Sequence, residues 1–322
     1  MSLKKILYLI IGVGIAYAAY IAVSLMSLPS VEELKDRRMN MTIQVKDWHG
    51  EYHPFKVGPQ NRYWTSSKSI PPEMKWAVIL AEDSNFYKHE GIDVKAIKNA
   101  IKYDLEKKSF ARGASTITQQ VAKNLFLSRE KTLTRKVKEI VLAKRMEEEL
   151  TKGRIIELYL NVVELGPMVY GIGHGSRYYF GKPASAMTPR ECAFLAAMLP
   201  GPRVAYNPYK NLNKVLKRSN MILRLLRNKG VLTAAEYRQA MGQEPNVSGL
   251  QQKVDESIEK EEAAFDNTSG ATVVPDVVPE PVPAAEPSSG EVPATEPAQE
   301  IEMPGPQEGG AGAVQPVKDE PK

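Results

Sequence analysis

The segment from Ala81 to Gly91, AEDSNFYKHEG, places two adjacent carboxylates and a histidine directly after the apolar run WAVIL. Glu82 falls in the last turn of the helix that this run predicts. There the negative end of the helix dipole raises the pKa of the carboxyl group, and the neighbouring Asp83 acts in the same direction. A carboxylate with a raised pKa can accept a proton near neutral pH. By itself, however, the pattern is more typical of a solvated acid at a helix end.

Polar side chains follow at helical spacing in the stretch STITQQVAKNLF. Ser115 is predicted to cap this helix, since serine is a favoured N-cap residue. Residues four apart share a helix face. Two polar faces therefore lie side by side, Gln119 with Lys123 and Gln120 with Asn124. Fixed cations and amide donors of this kind stabilise negative charge that develops on a leaving group.

Lys131, Arg135 and Glu139 continue the cationic row at a spacing of four residues. They suit a site in which a second acid orients cations. The plain alternative is a solvated helix face with an Arg–Glu pair worth roughly 0.3–0.5 kcal/mol.

The elements that must position these side chains are mainly helices. Pro71 and Pro72 suit the start of a helix over EMKWAVILAED, and capping boxes begin helices at Thr188 and Thr233. The stretch from Leu133 to Asn161 predicts two helices in succession, separated near Thr151 and Gly153. The basic stretch NKVLKRSNMILRLLRNK predicts a helix that either covers the core or rests on anionic headgroups.

The N-terminus predicts a membrane anchor. Lys4 and Lys5 precede a run without charges from Ile6 to Leu28. As a helix this run reaches roughly 34 Å, enough to cross a hydrocarbon core of about 30 Å. The paired lysines keep the N-terminal tip in the cytoplasm, so the rest of the chain lies outside. A cleaved signal peptide is the alternative, because Ala16 to Ala18 resembles a cleavage site.

The formal net charge of +5 is unevenly distributed. Residues 251–322 contain 4 lysines and 16 acidic residues, so the positive charge is concentrated in the first 250 residues. A basic body favours an anionic partner, and the extracytoplasmic location argues against nucleic acid. The acidic, proline-rich segment 243–322 is predicted to be disordered, either as an inert spacer or as a docking arm.

The number and spacing of the cysteine and histidine residues argue against an intramolecular disulfide and against a transition-metal site. The single cysteine, Cys192, cannot form an intramolecular disulfide, and its apolar surroundings predict a buried structural thiol. The chain has no CxxC pair, and its four histidines lack metal-ligand spacing. A bound transition metal is therefore not expected.

Three further stretches accompany the opening one: RGASTITQQVAKNLFLSREKTLTRKVKE, ELYLNVVELGPMVYGIGHGSRYYFGK and LAAMLPGPRVAYNP. In order and spacing these segments resemble the motifs of the family 51 glycosyltransferases, which polymerise lipid II into the glycan strands of peptidoglycan. The likeness covers Ile70 to Pro208. It implies a mainly α, lysozyme-like domain with a small membrane-proximal jaw, anchored in the bacterial cytoplasmic (inner) membrane. It also implies inverting transfer with release of undecaprenyl pyrophosphate.

The resemblance implies roles for individual residues. Glu82 corresponds to the catalytic base, and Phe86 and His89 hold its loop. Lys123 corresponds to the motif lysine that contacts pyrophosphate. Glu139 corresponds to a second essential glutamate, which orients cations or a divalent ion, Mg²⁺ or Mn²⁺. The remaining residues expected to bind substrate are Asp83, Ser115, Thr116, Gln119, Gln120, Asn124, Lys131, Arg135 and Glu164.

The sequence departs from the family pattern in two places. Many relatives carry an arginine in the helix after the first motif, whereas this chain has Asn99 at that place, with Lys98 as the closest cation. Relatives with two activities append a serine transpeptidase domain. Here Ser257 to Lys260 matches SxxK, but no SxN or KTG motif follows it, which predicts a monofunctional chain.

Four segments are predicted: an anchor at 1–28, a linker with a β-hairpin at 29–69, the glycosyltransferase domain at 70–242 and the acidic tail at 243–322. Two other functions stay open. A lysozyme-like hydrolase or lytic transglycosylase would use Glu82 as an acid, although a neutral leaving sugar does not need the cationic row. An inactive membrane-anchored adaptor would use its tail to recruit cell-wall synthesis proteins.

Overall fold

The computed structural model describes residues 2–47, 49–107, 115–128, 130, 132–243 and 245. The side chains of residues 104, 105 and 107 are not among them. In chain order the elements are α1 (Leu3–Met26), β1 (Met41–Lys46), β2 (Tyr52–Val57), α2 (Pro72–Glu82), α3 (Val94–Lys107), α4 (Ile117–Phe126), α5 (Leu133–Glu149), α6 (Lys152–Val162), β3 (Glu164–Gly166), β4 (Val169–Tyr170), α7 (Ile172–Phe180), α8 (Pro189–Met198), α9 (Pro208–Asn228) and α10 (Ala234–Gly242). The predicted mainly α fold is confirmed.

Threonine side chains begin most of the helices around the core. Thr188 and Thr233 form the predicted capping boxes. In each box the threonine side chain accepts from the backbone N–H of the third helical residue, a glutamate, and the glutamate side chain accepts from the backbone N–H of the threonine. The prediction for α4 was wrong by one residue, because Thr116 rather than Ser115 is the N-cap. Thr151 caps α6, so α5 and α6 are two helices, as predicted.

The core is built around two helices that are buried along most of their length. Residues 154–162 of α6 and 190–198 of α8 are all buried. α8 packs on α2 and α9, and α6 packs on α4. Cys192 is fully buried in α8, which confirms the predicted structural thiol.

α9 covers one side of this core with its apolar face. Val215, Ile222, Leu223 and Leu226 are fully buried, whereas no acidic residue occurs along the helix. Core cover, the first of the two interpretations of this basic helix, is therefore correct. Its exposed cations remain on the opposite face.

The predicted β-hairpin is confirmed, but the segment around it is not a free linker. β1 pairs antiparallel with β2, with Met41 opposite Val57 and Lys46 opposite Tyr52. Alternate residues of β1 face inward, since Ile43 and Val45 are buried. Together with Val57 they join the hydrophobic core, so the hairpin packs against the helical domain.

α1 is a 24-residue apolar helix with no buried residue, and it is long and apolar enough to cross a membrane. It packs beside α5, where the hydroxyl groups of Tyr17 and Thr134 lie 3.1 Å apart. The chain divides into the units Met1–Gly270 and Ala271–Lys322. The predicted tail, apart from Gln243 and Pro245, lies outside the described residues, as does the SxxK match at 257–260.

Gly91 ends the loop that follows α2 and approaches the backbone of α5. Its φ of +82° lies in the left-handed region, and a Cβ there would stand 3.0 Å from the carbonyl oxygen of Ala143. We expect Gly91→Ala to lower the free energy of unfolding by about 1–2 kcal/mol for the backbone conformation alone, and further for the close contact. Thermal or denaturant unfolding measures this.

Gly181 provides the matched control. It has a φ of +69°, but nothing lies within 4 Å of its virtual Cβ. Gly181→Ala should therefore lower the free energy of unfolding only through the strained backbone conformation, without a close contact. Equal destabilisation by the two substitutions would contradict a role for the approach of Gly91 to α5.

Candidate active site

Glu82 is the last residue of α2, and its side chain is only 14% exposed. Two donors reach its carboxylate: Gln120 Nε2 at 3.2 Å from Oε2, and Arg218 Nη2 at 3.3 Å from Oε1. The pKa of Glu82 is raised, chiefly by burial and further by Asp83, against the opposing effects of Gln120, Arg218 and Lys123. The predicted direction is confirmed, but its main cause is desolvation, which the sequence did not reveal.

Gln120 links Glu82 to the core. Its Oε1 accepts from the Tyr159 hydroxyl at 3.3 Å, while its Nε2 donates to Glu82. Tyr159 is fully buried, and burial raises its pKa well above the ordinary value. The tyrosine therefore stays a donor, which fixes the orientation of the Gln120 amide and keeps an N–H directed at the carboxylate.

Asp83 ties the end of α2 to the start of α4. Its Oδ2 accepts from the backbone N–H of Ile117 at 3.0 Å, and its two oxygens lie 2.9 and 3.1 Å from His89 Nε2. Phe86 is fully buried beneath the same loop. These contacts give Asp83, Phe86 and His89 the task of holding the loop, as predicted for the last two.

Glu82 and Gln120, which are hydrogen-bonded to each other, each line a cleft. The first, of about 370 Å³, is lined by Glu82 and Asp83, by Asn85 and Asp93, and by Lys95, Asn99, Ser115 and Thr116 among others. The second, of about 420 Å³, is lined by Gln120, Lys123, Asn124, Arg135 and Glu164, together with β1 and Tyr170. The Gln120–Glu82 hydrogen bond and the effect of Lys123 on the pKa of Glu82 place this carboxylate close to the cations of the second cleft.

Glu139 lies behind the second cleft rather than in it. The residue is 2% exposed, and its Oε2 accepts from Arg135 Nη1 at 2.6 Å. Its Oε1 accepts from Lys136 Nζ, which also donates to Ser115 Oγ at 3.0 Å. The Glu139 carboxylate therefore holds two cations. Arg135 lines the second cleft, and Lys136 contacts Ser115, which lines the first.

Two residues predicted to bind substrate form the capping box of α4. Thr116 and Gln119 are 2% and 1% exposed. The Thr116 side chain accepts from Gln119 N, and Gln119 Oε1 accepts from Thr116 N. Thr116 Oγ1 also donates to the carbonyl oxygen of Gly91 at 2.7 Å. The structure gives both residues a positioning role, so any substrate contact by them stays a prediction.

Glu164 begins β3 and is paired with Arg203, which lies between α8 and α9. Arg203 also donates to the carbonyl oxygens of Lys46 and Asp47 and to the Tyr170 hydroxyl. A single guanidinium thus joins the hairpin to β3 at the wall of the second cleft, which Glu164 lines. A contact between Glu164 and the substrate stays a prediction.

The cation near Asn99 differs from the one that the sequence suggested. Asn99 lines the Glu82 cleft, and Lys95 lines it as well. Lys98 is exposed and is not among the residues that line this cleft. Lys95, and not Lys98, therefore lines this cleft beside Asn99, and a substitute for the family arginine stays a prediction. Lys131 lies outside the described residues, so its role stays a prediction.

The side chains around Glu139 do not fit a divalent cation in this arrangement. Both carboxylate oxygens already accept from a cationic side chain, so an ion would have to displace Arg135 or Lys136. In the described part of the chain the only group of three metal-ligating side chains is Asp47, Glu51 and His53, in the hairpin. The predicted Mg²⁺ or Mn²⁺ therefore has no ready ligand set at Glu139, and a metal requirement stays a prediction.

Sequence reasoning missed four side chains of this site: Tyr159, Lys136, Arg203 and Arg218. Lys136 follows Arg135 and lies three residues from Glu139, so helical spacing was a usable signal. The other three reach the site from elements distant in sequence. No local pattern marks them.

Comparison with known sequences identifies the family of this chain. The sequence profile of a family described as Transglycosylase matches residues 51–227, more than half of the chain. The chain therefore belongs to the transglycosylase family, the family 51 glycosyltransferases that its motifs resemble. This membership confirms the predicted class of enzyme.

Individual relatives are longer proteins. Penicillin-binding protein 1A of Escherichia coli K12 is 38% identical over 231 residues, covering 72% of this chain and 27% of that protein. The same-named protein of Neisseria gonorrhoeae is 36% identical over 250 residues, covering 78% and 31%. That of Aquifex aeolicus is 36% identical over 240 residues, covering 72% and 33%. This chain thus spans no more than about a third of the length of these relatives.

Arg218 on α9 is the clearest addition to the predicted site. Its positive charge lowers the pKa of Glu82. We expect Arg218→Ala to raise that pKa further, so the acid limb of the pH–rate profile moves to higher pH and the rate at neutral pH falls. The measurement is kcat/KM against pH.

Arg224, exposed on the same helix, supplies the matched control. Arg224→Ala removes the same charge without a contact to Glu82. A fall in rate with an unmoved acid limb, or equal shifts in the two variants, would contradict a direct effect of Arg218 on the base.

Proposed function

We propose that this protein polymerises lipid II into β-1,4-linked glycan strands and releases undecaprenyl pyrophosphate. The observation that carries the proposal is the partly buried Glu82, with a raised pKa, bonded to Gln120, which lines a cleft together with Lys123 and Arg135. A proton acceptor beside fixed positive charge suits the attack of a sugar hydroxyl with departure of an anionic pyrophosphate.

In the proposed reaction the 4-hydroxyl of the GlcNAc on one lipid II attacks the anomeric carbon of MurNAc on the growing strand. Glu82 takes the hydroxyl proton as the new C–O bond forms. The bond to the pyrophosphate oxygen breaks, and its electron pair leaves with undecaprenyl pyrophosphate. Attack opposite to the leaving group inverts the anomeric centre.

The chain's own residues supply the remaining requirements. Gln120, oriented by Tyr159, keeps a donor on the Glu82 carboxylate. Lys123 and Arg135 face the leaving pyrophosphate, and Glu139 fixes Arg135. The proposed steps require no divalent ion, and both oxygens of Glu139 accept from cationic side chains.

The proposal places α1 as an uncleaved anchor in the inner membrane, with the N-terminus in the cytoplasm and the catalytic domain outside. Its support is the apolar length of α1 and its contact with α5. Mass determination of the mature N-terminus tests it, because a cleaved leader would remove Tyr17 from the protein.

The decisive experiment incubates the full chain with lipid II in detergent and follows strand length by gel electrophoresis. Wild type should extend strands, and Lys123→Ala should do so much more slowly. Parallel samples with EDTA report any need for a divalent ion. Solubilisation of finished sacculi without strand growth would favour the lysozyme-like hydrolase.

Two further experiments test the adaptor alternative and the prediction of a monofunctional chain. An adaptor would keep its phenotype in Glu82→Gln and lose it when residues 271–322 are deleted. Fluorescent penicillin should not label this chain if it has no transpeptidase centre.

A further inference from the structure

A third cleft, of about 470 Å³, shares no lining residue with the two clefts at Glu82 and Gln120. Three exposed arginines surround it: Arg37, Arg62 and Arg177. Glu157 and the aromatic residues Tyr63 and Trp64 contribute to its walls. We call it the arginine cleft.

The arginine cleft carries more positive charge than its one acid can neutralise. Glu157 is 2% exposed and accepts from Arg154 Nη1 at 3.1 Å and from the Ser67 backbone N–H at 3.0 Å. Arg37 Nη1 lies 3.3 Å from the same carboxylate. In the described part of the chain, Arg62 and Arg177 have no carboxylate partner. Two guanidinium groups are therefore left for a ligand.

One of these arginines is held in place before any ligand arrives. The Arg62 guanidinium lies over the Tyr63 ring, 4.6 Å from its centroid, and donates to the Tyr63 hydroxyl. The Tyr63 ring in turn stacks on His174, at 4.4 Å between centroids and 8° between planes. A side chain that is already ordered loses less conformational entropy on binding, which favours affinity.

The surroundings of the arginine cleft favour a ligand in water over a membrane surface. None of its lining residues is an exposed large apolar side chain. Such side chains do occur on the helices that flank the catalytic region, namely Val94 and Ile101 on α3 and Leu133 on α5. Basic helices that bind membranes combine cations with exposed apolar residues, and the arginine cleft lacks this combination.

We propose that the arginine cleft binds the free carboxylates of the short acidic peptides attached to the glycan strand. The proposal rests on the proposed function, because it takes the ligand to be the peptide part of the substrate and product. A guanidinium pairs with a carboxylate through two parallel hydrogen bonds. The volume of the cleft suits a small ligand or a few residues of peptide. Binding there holds a strand to the enzyme away from the reacting sugar.

The test measures binding of a soluble disaccharide–tetrapeptide to the full chain in detergent by calorimetry. The matched probe is the same molecule with its carboxylates converted to amides. The variant Arg62→Gln/Arg177→Gln removes both guanidinium groups. The control Arg224→Gln/Arg238→Gln removes two exposed arginines elsewhere and so changes the net charge equally.

We expect the arginine-cleft variant to bind the free-carboxylate probe about tenfold or more weakly than wild type, and the control variant to bind it as wild type does. The amidated probe should bind wild type as weakly as the free probe binds the variant. Equal binding of both probes, equal losses in both variants, or no binding to wild type would overturn the proposal. So would sedimentation with anionic phospholipid vesicles that depends on Arg62 and Arg177, since it would assign the cleft to headgroups.

Polymerisation of lipid II is measured in the same preparations. The arginine-cleft variant should form shorter strands than wild type, because a strand that is held less tightly leaves the enzyme earlier, whereas the control variant should form strands of wild-type length. If wild type fails to polymerise lipid II while probe binding still depends on Arg62 and Arg177, the proposed function fails and the binding site stands.

Discussion

Replacing Glu82 with glutamine should lower the rate of lipid II polymerisation by about 10²- to 10⁴-fold, the usual contribution of a general base. Glutamine keeps the size of the side chain and can still accept from Gln120 or from Arg218 through its one oxygen, but it cannot take a proton. Binding of lipid II should therefore change little while turnover is lost. Single-turnover strand extension separates the two.

Glu90 offers a control in the same loop, because it is exposed and lies outside both catalytic clefts. Glu90→Gln should keep the wild-type rate. If Glu82→Gln retains more than a tenth of wild-type turnover, another group accepts the proton, and the assignment of Glu82 is wrong.

The pH dependence of the wild-type enzyme follows from the same carboxyl group. A general base acts in its ionised form, and burial raises the pKa of Glu82 above the ordinary value of about 4.3. The rate should therefore fall as pH drops through this raised pKa, with an acid limb above that of a solvated glutamate. Glu82→Gln should lose this limb.

Local features of the site were predictable because they depend on neighbours in sequence. The end of α2 at Glu82 follows from the proline start and the apolar run, and the capping boxes at Thr188 and Thr233 follow from their four-residue pattern. The choice of Thr116 over Ser115 as the cap of α4 was also visible locally, because Thr116 and Gln119 fit the same four-residue pattern. Thr116 also donates to Gly91 O, a contact with the loop after α2 that fixes the register of the helix start.

The parts that sequence could not predict depend on contacts between distant segments. Arg218 reaches Glu82 from α9, and Tyr159 reaches Gln120 from α6. The main cause of the raised pKa of Glu82 is burial, which is a property of the assembled core rather than of the helix that carries the residue. The segment 29–69 was interpreted as a linker because its short alternating strands resemble a surface hairpin. Only the packed structure shows that Ile43, Val45 and Val57 belong to the core.

Glu139→Gln should have the second largest effect, and it acts through other residues. The substitution removes the negative charge of a residue that is only 2% exposed. It leaves the positive charges of Arg135 and Lys136 close together with no carboxylate between them. Removing one partner of a buried pair costs about 3–5 kcal/mol. The cost here falls toward the lower end, because Arg135 and Lys136 are 18% and 39% exposed and can turn toward water. Urea unfolding should show a loss of about 3 kcal/mol.

The same substitution should also slow polymerisation, since Arg135 lines the cleft and Glu139 holds its guanidinium. We expect a loss of about tenfold to a hundredfold in turnover. Glu148→Gln, at an exposed position of α5, should change neither stability nor rate. A merely structural role for Glu139 would leave turnover per folded molecule intact.

A double-mutant cycle distinguishes these roles. If Glu139 acts by positioning Arg135, then Arg135→Gln should remove most of the kinetic effect of Glu139→Gln, with a coupling free energy of about 0.5–3 kcal/mol. Additive losses in turnover would contradict this dependence, because they would mean that Glu139 contributes independently of Arg135. They would then favour a direct contact between Glu139 and the substrate or a bound cation, which in turn requires that Arg135 or Lys136 leave the carboxylate during the reaction.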